Sequence, residues 1–257
     1  MSRLLLSIWG LFLVAFANAE GVAWPNGARA AVSLSYDDTL NSQLDNVVPV
    51  LDKHGIKASF YLILSSEVLF DRMDEWRKLA ANGHELGNHT IYHPCSASQP
   101  DRDWVRPHND MDQRTVEQMR DEVRVANTFL KAIDGKSERT LTPPCGDVRT
   151  RDGNYLEYIK DLVVAVKGSE PLASGLVSYD IPSNVTGKQL IAIVGRAAQR
   201  GGFANIIFHG VGGDHLAVST QAHAELIAHL AANPTIYWTD TYMNIMKHVL
   251  GERGSRP

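Results

Sequence analysis

Residues 30–38 read Ala30-Ala31-Val32-Ser33-Leu34-Ser35-Tyr36-Asp37-Asp38, a short β-prone run that stops on two carboxylates. Such runs read as buried strands when segments of helical period separate them, and here they do. Leu44, Val47, Val48 and Leu51 repeat at helical spacing until His54-Gly55. Residues 58–64 are the next strand. Trp76, Leu79 and Ala80 mark a helix stopped by Asn82-Gly83, and residues 85–88 form a third, short strand. Beyond a polar, irregular stretch at 94–111, the pattern predicts a long helix over 113–133, strands near 141–144 and 162–166, and a helix through Leu190, Ile193, Val194 and Ala197. A strand at 204–208 ends on His209. The helical stripe Ala222, Leu226, Ile227 and Leu230, a strand at 235–238 and a terminal helix complete the chain. Parallel strands need crossovers and helices on both faces, so this alternation predicts an α/β domain with a parallel sheet.

Polar residues gather just after the strands: Asp37-Asp38, His89 to His93, Cys145 to Asp147, and His209. In a parallel barrel the loops at the strand C-termini share one mouth, so these groups are expected to converge. A structureless stretch as long as 94–111 inside a compact domain is usually a lid or binding segment.

The chain has 257 residues, 44% of them hydrophobic, enough for one sizeable core. Its formal net charge is −4 with both signs mixed, and no basic stripe points to nucleic acid. No repeat or linker divides it. Arg3 precedes an apolar run at 4–16 broken only by Ser7 and Gly10, and Ala17-Asn18-Ala19 offers a small-x-small site. Residues 1–19 therefore read as a signal peptide cleaved after Ala19. The run falls short of the roughly 20 residues a membrane span needs. The mature protein, residues 20–257, is expected to be secreted or periplasmic without a stable membrane anchor. In that compartment Cys95 and Cys145, each beside a cluster of polar residues, can pair; two separately buried thiols are the alternative.

The polar clusters carry specific chemistry. Adjacent carboxylates leaving a strand point to opposite sides, so Asp37 and Asp38 can take different jobs, one on a metal and one facing a water. His89 and His93, four apart, meet one cation if their segment is a helical turn. Two imidazoles and a carboxylate with open positions suit Zn2+, and geometry also permits Co2+, Ni2+ or Fe2+. His209 at a strand end is placed to donate a proton to a leaving group. His84 reads as a structural turn histidine.

In this order, the features resemble the polysaccharide deacetylase family (NodB-homology domain, carbohydrate esterase family 4). Ser35-Tyr36-Asp37-Asp38 resembles its first motif. Gly83 through Pro94, with His89-Thr90-Ile91-Tyr92-His93, resembles the second, and Ile207-Phe208-His209 the last. The resemblance covers roughly Ala28 to His248. It implies a distorted (β/α) barrel of seven or eight strands. It implies metal ligation by Asp38, His89 and His93, with Asp37 as general base and His209 as general acid. It implies an acetylated glycan as substrate, deacetylated by metal-activated water, the oxyanion being held by a backbone N–H near Tyr92 or His93. Tyr92, Trp104, Cys145 and Gly146 are candidate substrate contacts. Trp238 either stacks on sugar or caps the core. Asp214 and His215 either line the mouth or serve only the loop.

The pattern also departs from the family. Thr142-Pro143-Pro144-Cys145-Gly146 has threonine where the family has an arginine that orients the base. Arg139, Arg149, Arg151 and Arg106 are candidate replacements. Thr39 stands where a glycine is usual. Asp180 is the nearest candidate for a residue that orients His209; the alternative is a turn residue before Pro182. Other activities fit the same site: removal of O-acetyl esters, hydrolysis of a small amide C–N bond, or a catalytically degenerate glycan-binding module.

Overall fold

The computed structural model describes residues 22–254; the expected signal peptide and its cleavage point lie outside the described residues. In chain order the elements are β1 (Ala30–Asp37), α1 (Val48–His54), β2 (Ser59–Leu62), α2 (Glu67–Asp71), α3 (Met73–Ala81), β3 (Glu85–Asn88), α4 (Val116–Asp134) and β4 (Thr140–Leu141). A two-stranded antiparallel ribbon, β5 (Arg149–Thr150) and β6 (Gly153–Asn154), follows. Then come β7 (Ala165–Val166), β8 (Val177–Asp180), α5 (Gly187–Arg200), β9 (Phe203–Phe208), α6 (Thr220–Ala232), β10 (Tyr237–Thr239) and α7 (Tyr242–Gly254).

The main sheet is parallel, in the order β7-β4-β3-β2-β1-β9-β8. Along one edge β1 has two partners: β10 pairs with Ala30–Val32 and β2 with Ser35–Asp37. β9 runs along the other edge. The sheet curls into the expected distorted barrel. It stays open between its end strands β7 and β8, where the Tyr179 hydroxyl accepts a hydrogen bond from the Gly168 N–H at 3.0 Å.

The pleat of β1 sorts its side chains. Val32, Leu34 and Tyr36 join the core beneath α1, α5 and α6. Ala31 packs with Tyr61, Phe203, Tyr242 and Ile245 inside the barrel. Asp37 continues the odd series, so its carboxylate emerges on the interior face at the strand's C-terminal end. Gly87 on β3 lies against the Tyr61 ring, where an added Cβ would sit 2.4 Å from ring atoms. Only glycine leaves Tyr61 this room inside the barrel.

Several boundaries differ from the sequence reading; the strand expected near 141–144 is Thr140–Leu141, and that expected at 235–238 is Tyr237–Thr239. The long helix starts at Val116 because Thr115 and Gln118 form a capping box, and Met111–Gln113 is a separate 3₁₀ turn. The first helix opens on a wide π turn at Gln43–Val47: Pro49 has no N–H to close an α turn onto Asp45. The strand expected at 162–166 is only Ala165–Val166, since the Leu162 N–H closes a turn onto Ile159. No described helix is long and apolar enough to cross a membrane.

Candidate active site

The β1 strand ends where Asp38 and Thr39 take left-handed φ of 79° and 59°. Such backbone costs about 1–2 kcal/mol per non-glycine residue, so something must hold it. Thr39 does so through its hydroxyl, which accepts the Ile63 N–H at 2.7 Å; this accounts for a threonine in place of glycine. The bend also overturns the expectation that the two carboxylates face opposite ways. Asp37 and Asp38 line the same cavity.

The segment carrying His89 and His93 is not the helical turn the spacing suggested. Thr90 and His93 have φ of 67° and 52°, and the loop is irregular. The imidazoles nevertheless meet, with ring centroids 4.8 Å apart. Their Nε2 atoms lie 3.2 and 3.3 Å from Asp38 Oδ1. The His89 Nδ1–H donates to the Thr142 carbonyl at 2.7 Å, which leaves Nε2 as a lone pair aimed at Oδ1. Asp38 Oδ1 is buried and has no donor in hydrogen-bond geometry. Three acceptor atoms facing one point, two nitrogens and a carboxylate oxygen, fit a divalent cation such as Zn2+.

Asp38 Oδ2 faces two further histidines: His215 Nε2 at 2.8 Å and His209 Nε2 at 3.7 Å. Burial pushes the Asp38 carboxyl up, but the hydrogen bond from His215 and the imidazoles of His89 and His93 outweigh it and hold it far below the usual range. Burial pushes His209 down despite the pull of Asp37 and Asp38. His215 is raised by its bond to Asp38. The Gly210–Gly213 loop thus brings His215 to the mouth, whereas Asp214 ties the loop to β1's exit by accepting the Ser42 N–H. His84, as expected, is structural: its Nδ1 accepts from the Ala58 N–H.

The structure does not support Asp180 as the residue that orients His209. In the ladder Asp180 stands opposite Ile206, three residues before His209, and its nearest cation is Arg196 at 4.0 Å. His209 Nδ1 is buried without a partner. The backbone N–H groups expected to bind an oxyanion are also committed: Tyr92 donates to Glu122 and His93 to the Thr90 hydroxyl. Of the arginines considered as replacements, Arg139 is held by Asp134. Arg149 and Arg151 do not line the cavity, and Arg106 does.

The cavity holds about 1270 Å³ and is lined by Asp37, Asp38, His89, His93, His209 and His215 at one end, with Cys145 and Gly146 in its wall. Tyr92 and Trp104 are exposed at its rim. Trp238 instead packs on Trp24 and His248, as a cap on the interior core. Cys95 and Cys145 form a disulfide that ties the histidine loop to the 142–146 segment.

Sequence reading missed two supports. Glu122 on α4 is buried and accepts the N–H groups of Ile91 and Tyr92 at 3.2 and 3.0 Å while pairing with Arg114. It clamps the loop between the two histidines. Lys167, just past β7, is buried and lines the cavity. Amphipathic spacing marks the buried face of α4, yet only the folded chain shows that Glu122 reaches a loop some thirty residues away.

An open parallel barrel carries at its strand C-termini a cluster of two histidines and one carboxylate that could hold a metal ion, flanked by a further carboxylate and histidine. Residues 25–164 match the polysaccharide deacetylase family, and the chain belongs to it. A peptidoglycan-N-acetylglucosamine deacetylase of Bacillus cereus is 23% identical over 205 residues, covering 79% of this chain and 64% of that protein. The curated relatives matched are longer, the chain spanning from 5% to 64% of their lengths. The peptidoglycan deacetylase PdaC of Bacillus subtilis superposes with a TM-score of 0.55 at 17% identity, over 88% of this chain and 93% of that one. A pseudoenzyme of carbohydrate esterase family 4 from Bacillus anthracis superposes with a TM-score of 0.53 at 16% identity, over 84% and 65%.

Proposed function

We propose that this protein is an exported, divalent-metal-dependent hydrolase that removes acetyl groups from N-acetylated amino sugars of a glycan. The observation that carries the reading is the convergence of His89 Nε2 and His93 Nε2 on the unpartnered Asp38 Oδ1, with Asp37 and His209 at the same cavity. The open cavity with exposed Tyr92 and Trp104 at its rim suits a sugar chain, since aromatic faces stack on the apolar faces of sugar rings. Export is read from Arg3, the apolar run at 4–16 and Ala17-Asn18-Ala19.

Asp38, His89 and His93 would hold the cation, Zn2+ or alternatively Co2+, Ni2+ or Fe2+, which when bound supplies Lewis acidity toward the acetyl carbonyl and lowers the pKa of water. Asp37 accepts a proton from the attacking water. His209, whose neutral form burial favours in the resting protein, takes up a proton from solvent and delivers it to the nitrogen as the C–N bond breaks, while Asp37 returns the proton it took from water to solvent. The products are acetate and a free amino sugar. His215, on Asp38 Oδ2, fixes the plane of the ligating carboxylate.

The test is acetate release by the mature, metal-loaded protein from N- and O-acetylated oligosaccharides, with Asp37→Asn alongside. Release from N-acetylated sugars, lowered about 10²–10⁴-fold in Asp37→Asn, supports the proposal. Release only from O-acetylated substrates makes the protein an esterase, and no release from a metal-binding protein points to a small-amide substrate or a binding role.

A further inference from the structure

The cavity floor holds a charge that the proposed chemistry has not used. The Lys167 N–H donates to Leu141 O at 2.9 Å, which extends the β4–β7 ladder and fixes where the side chain enters the barrel. That side chain is only 5% exposed, and its Nζ has no hydrogen-bond partner among the described residues. Nζ sits 4.3 Å from the Tyr61 ring centroid and 5.5 Å from that of Tyr242. Tyr61 is the residue directly across the ladder from Asp37. A buried ammonium without a counter-charge is strongly disfavoured, so the carboxylates nearby decide whether it is tolerated.

Three carboxylates pull electrostatically on the Lys167 ammonium, Asp37 first, then Glu85 and Glu170. Glu85 is saturated by the Ser59 and Thr140 hydroxyls and the Met243 N–H. Glu170 is bound by the Tyr242 hydroxyl. Asp37 is 3% exposed, its Oδ1 is buried, and no donor among the described residues reaches it. Two buried, opposite, unpartnered charges thus line one cavity. Burial pushes the Lys167 ammonium down to about 8 against the pull of these carboxylates, Asp37 foremost, so it remains mostly charged at neutral pH.

We propose that Lys167 is the positioning residue for Asp37: its ammonium is the counter-charge that holds the Asp37 carboxylate oriented for proton abstraction, in a chain that has Thr142 rather than a cation on the adjoining strand. This rests on Asp37 being the base. The Thr142 hydroxyl is buried without a partner on the same cavity wall, so it supplies no charge.

Two readouts test it. In steady-state deacetylation, Lys167→Met should lower kcat at least about 30-fold with KM within about threefold and bound metal unchanged. Lys167→Arg should recover most of kcat, as should Thr142→Arg placed in the Lys167→Met background. In thermal unfolding of the metal-free protein, Lys167→Met and Asp37→Asn should be non-additive. The double variant's Tm should depart from the sum of the single shifts by about 3 °C or more. Wild-type kcat in Lys167→Met, or additive Tm shifts, overturns the assignment. If Asp37→Asn keeps full turnover, the base is misassigned instead, while the unfolding cycle still decides whether the two charges are coupled.

Discussion

Replacing Glu122 with alanine should damage the metal site from behind, without touching any ligand. Glu122 is buried; one carboxylate oxygen takes the N–H groups of Ile91 and Tyr92, at 3.2 and 3.0 Å, and the other takes Arg114. Truncation leaves two amides without an acceptor, at about 1–3 kcal/mol each where water cannot replace the bond. Arg114 keeps the His108 carbonyl but loses its counter-ion. The two amides alone cost about 2–6 kcal/mol of stability, and the unpaired Arg114 adds to that. The loop between His89 and His93 also loses its fixed conformation, and disruption of such supporting bonds typically weakens metal binding about 10–100-fold. Glu122→Gln keeps an acceptor for the amides and loses only the charge, so it should cost about 1–2 kcal/mol. Urea unfolding of the metal-free proteins gives the first quantity, and zinc competition against a chromophoric chelator gives the second. A Glu122→Ala protein within 1 kcal/mol of wild type, with zinc affinity changed less than about threefold, would refute the clamp.

The disulfide closes a 50-residue separation, so Cys95→Ala/Cys145→Ala should lose about 4 kcal/mol by loop entropy. Unfolding midpoints with and without reductant measure this, and equal midpoints would count against it. His223 is fully buried against the Tyr36 hydroxyl at 2.7 Å, and burial pushes it down to about 4. The unfolded chain, with His near 6.5, therefore binds the extra proton first as pH falls, and stability is lost from about pH 6.5 toward 4. Between pH 7.5 and 4.5 this amounts to about 2–3 kcal/mol. A His223→Leu/Tyr36→Phe protein should lose that much less over the same range in urea unfolding; identical pH dependence in the two proteins would show that the His223 proton does not matter.

The sequence by itself determined which segments become strands and which become helices, because burial on both faces demands continuous apolar runs such as 30–36 and 204–208, while half-buried helices show a 3.6-residue stripe. It also determined that Asp37, Asp38, His89, His93 and His209 share one mouth, since each follows a strand of a parallel sheet and such ends are aligned by construction. Cys95 and Cys145 flank two of those strand ends, so the sequence allowed their pairing without deciding it, and the folded chain forms the disulfide. What the sequence left open depends on backbone angles and on contacts between distant segments. The left-handed turns at Asp38 and His93 bring the carboxylates and imidazoles together by a route that no helical or extended spacing describes. Glu122 reaches the histidine loop only because α4 packs against β3, and Asp180 misses His209 only because of the register of β8 on β9. Lys167 follows a two-residue strand too short to leave a pattern, and only the folded chain brings it to the cavity that Asp37 also lines. Periodicity records which face a residue takes; it does not record how far across the barrel its charge will be felt.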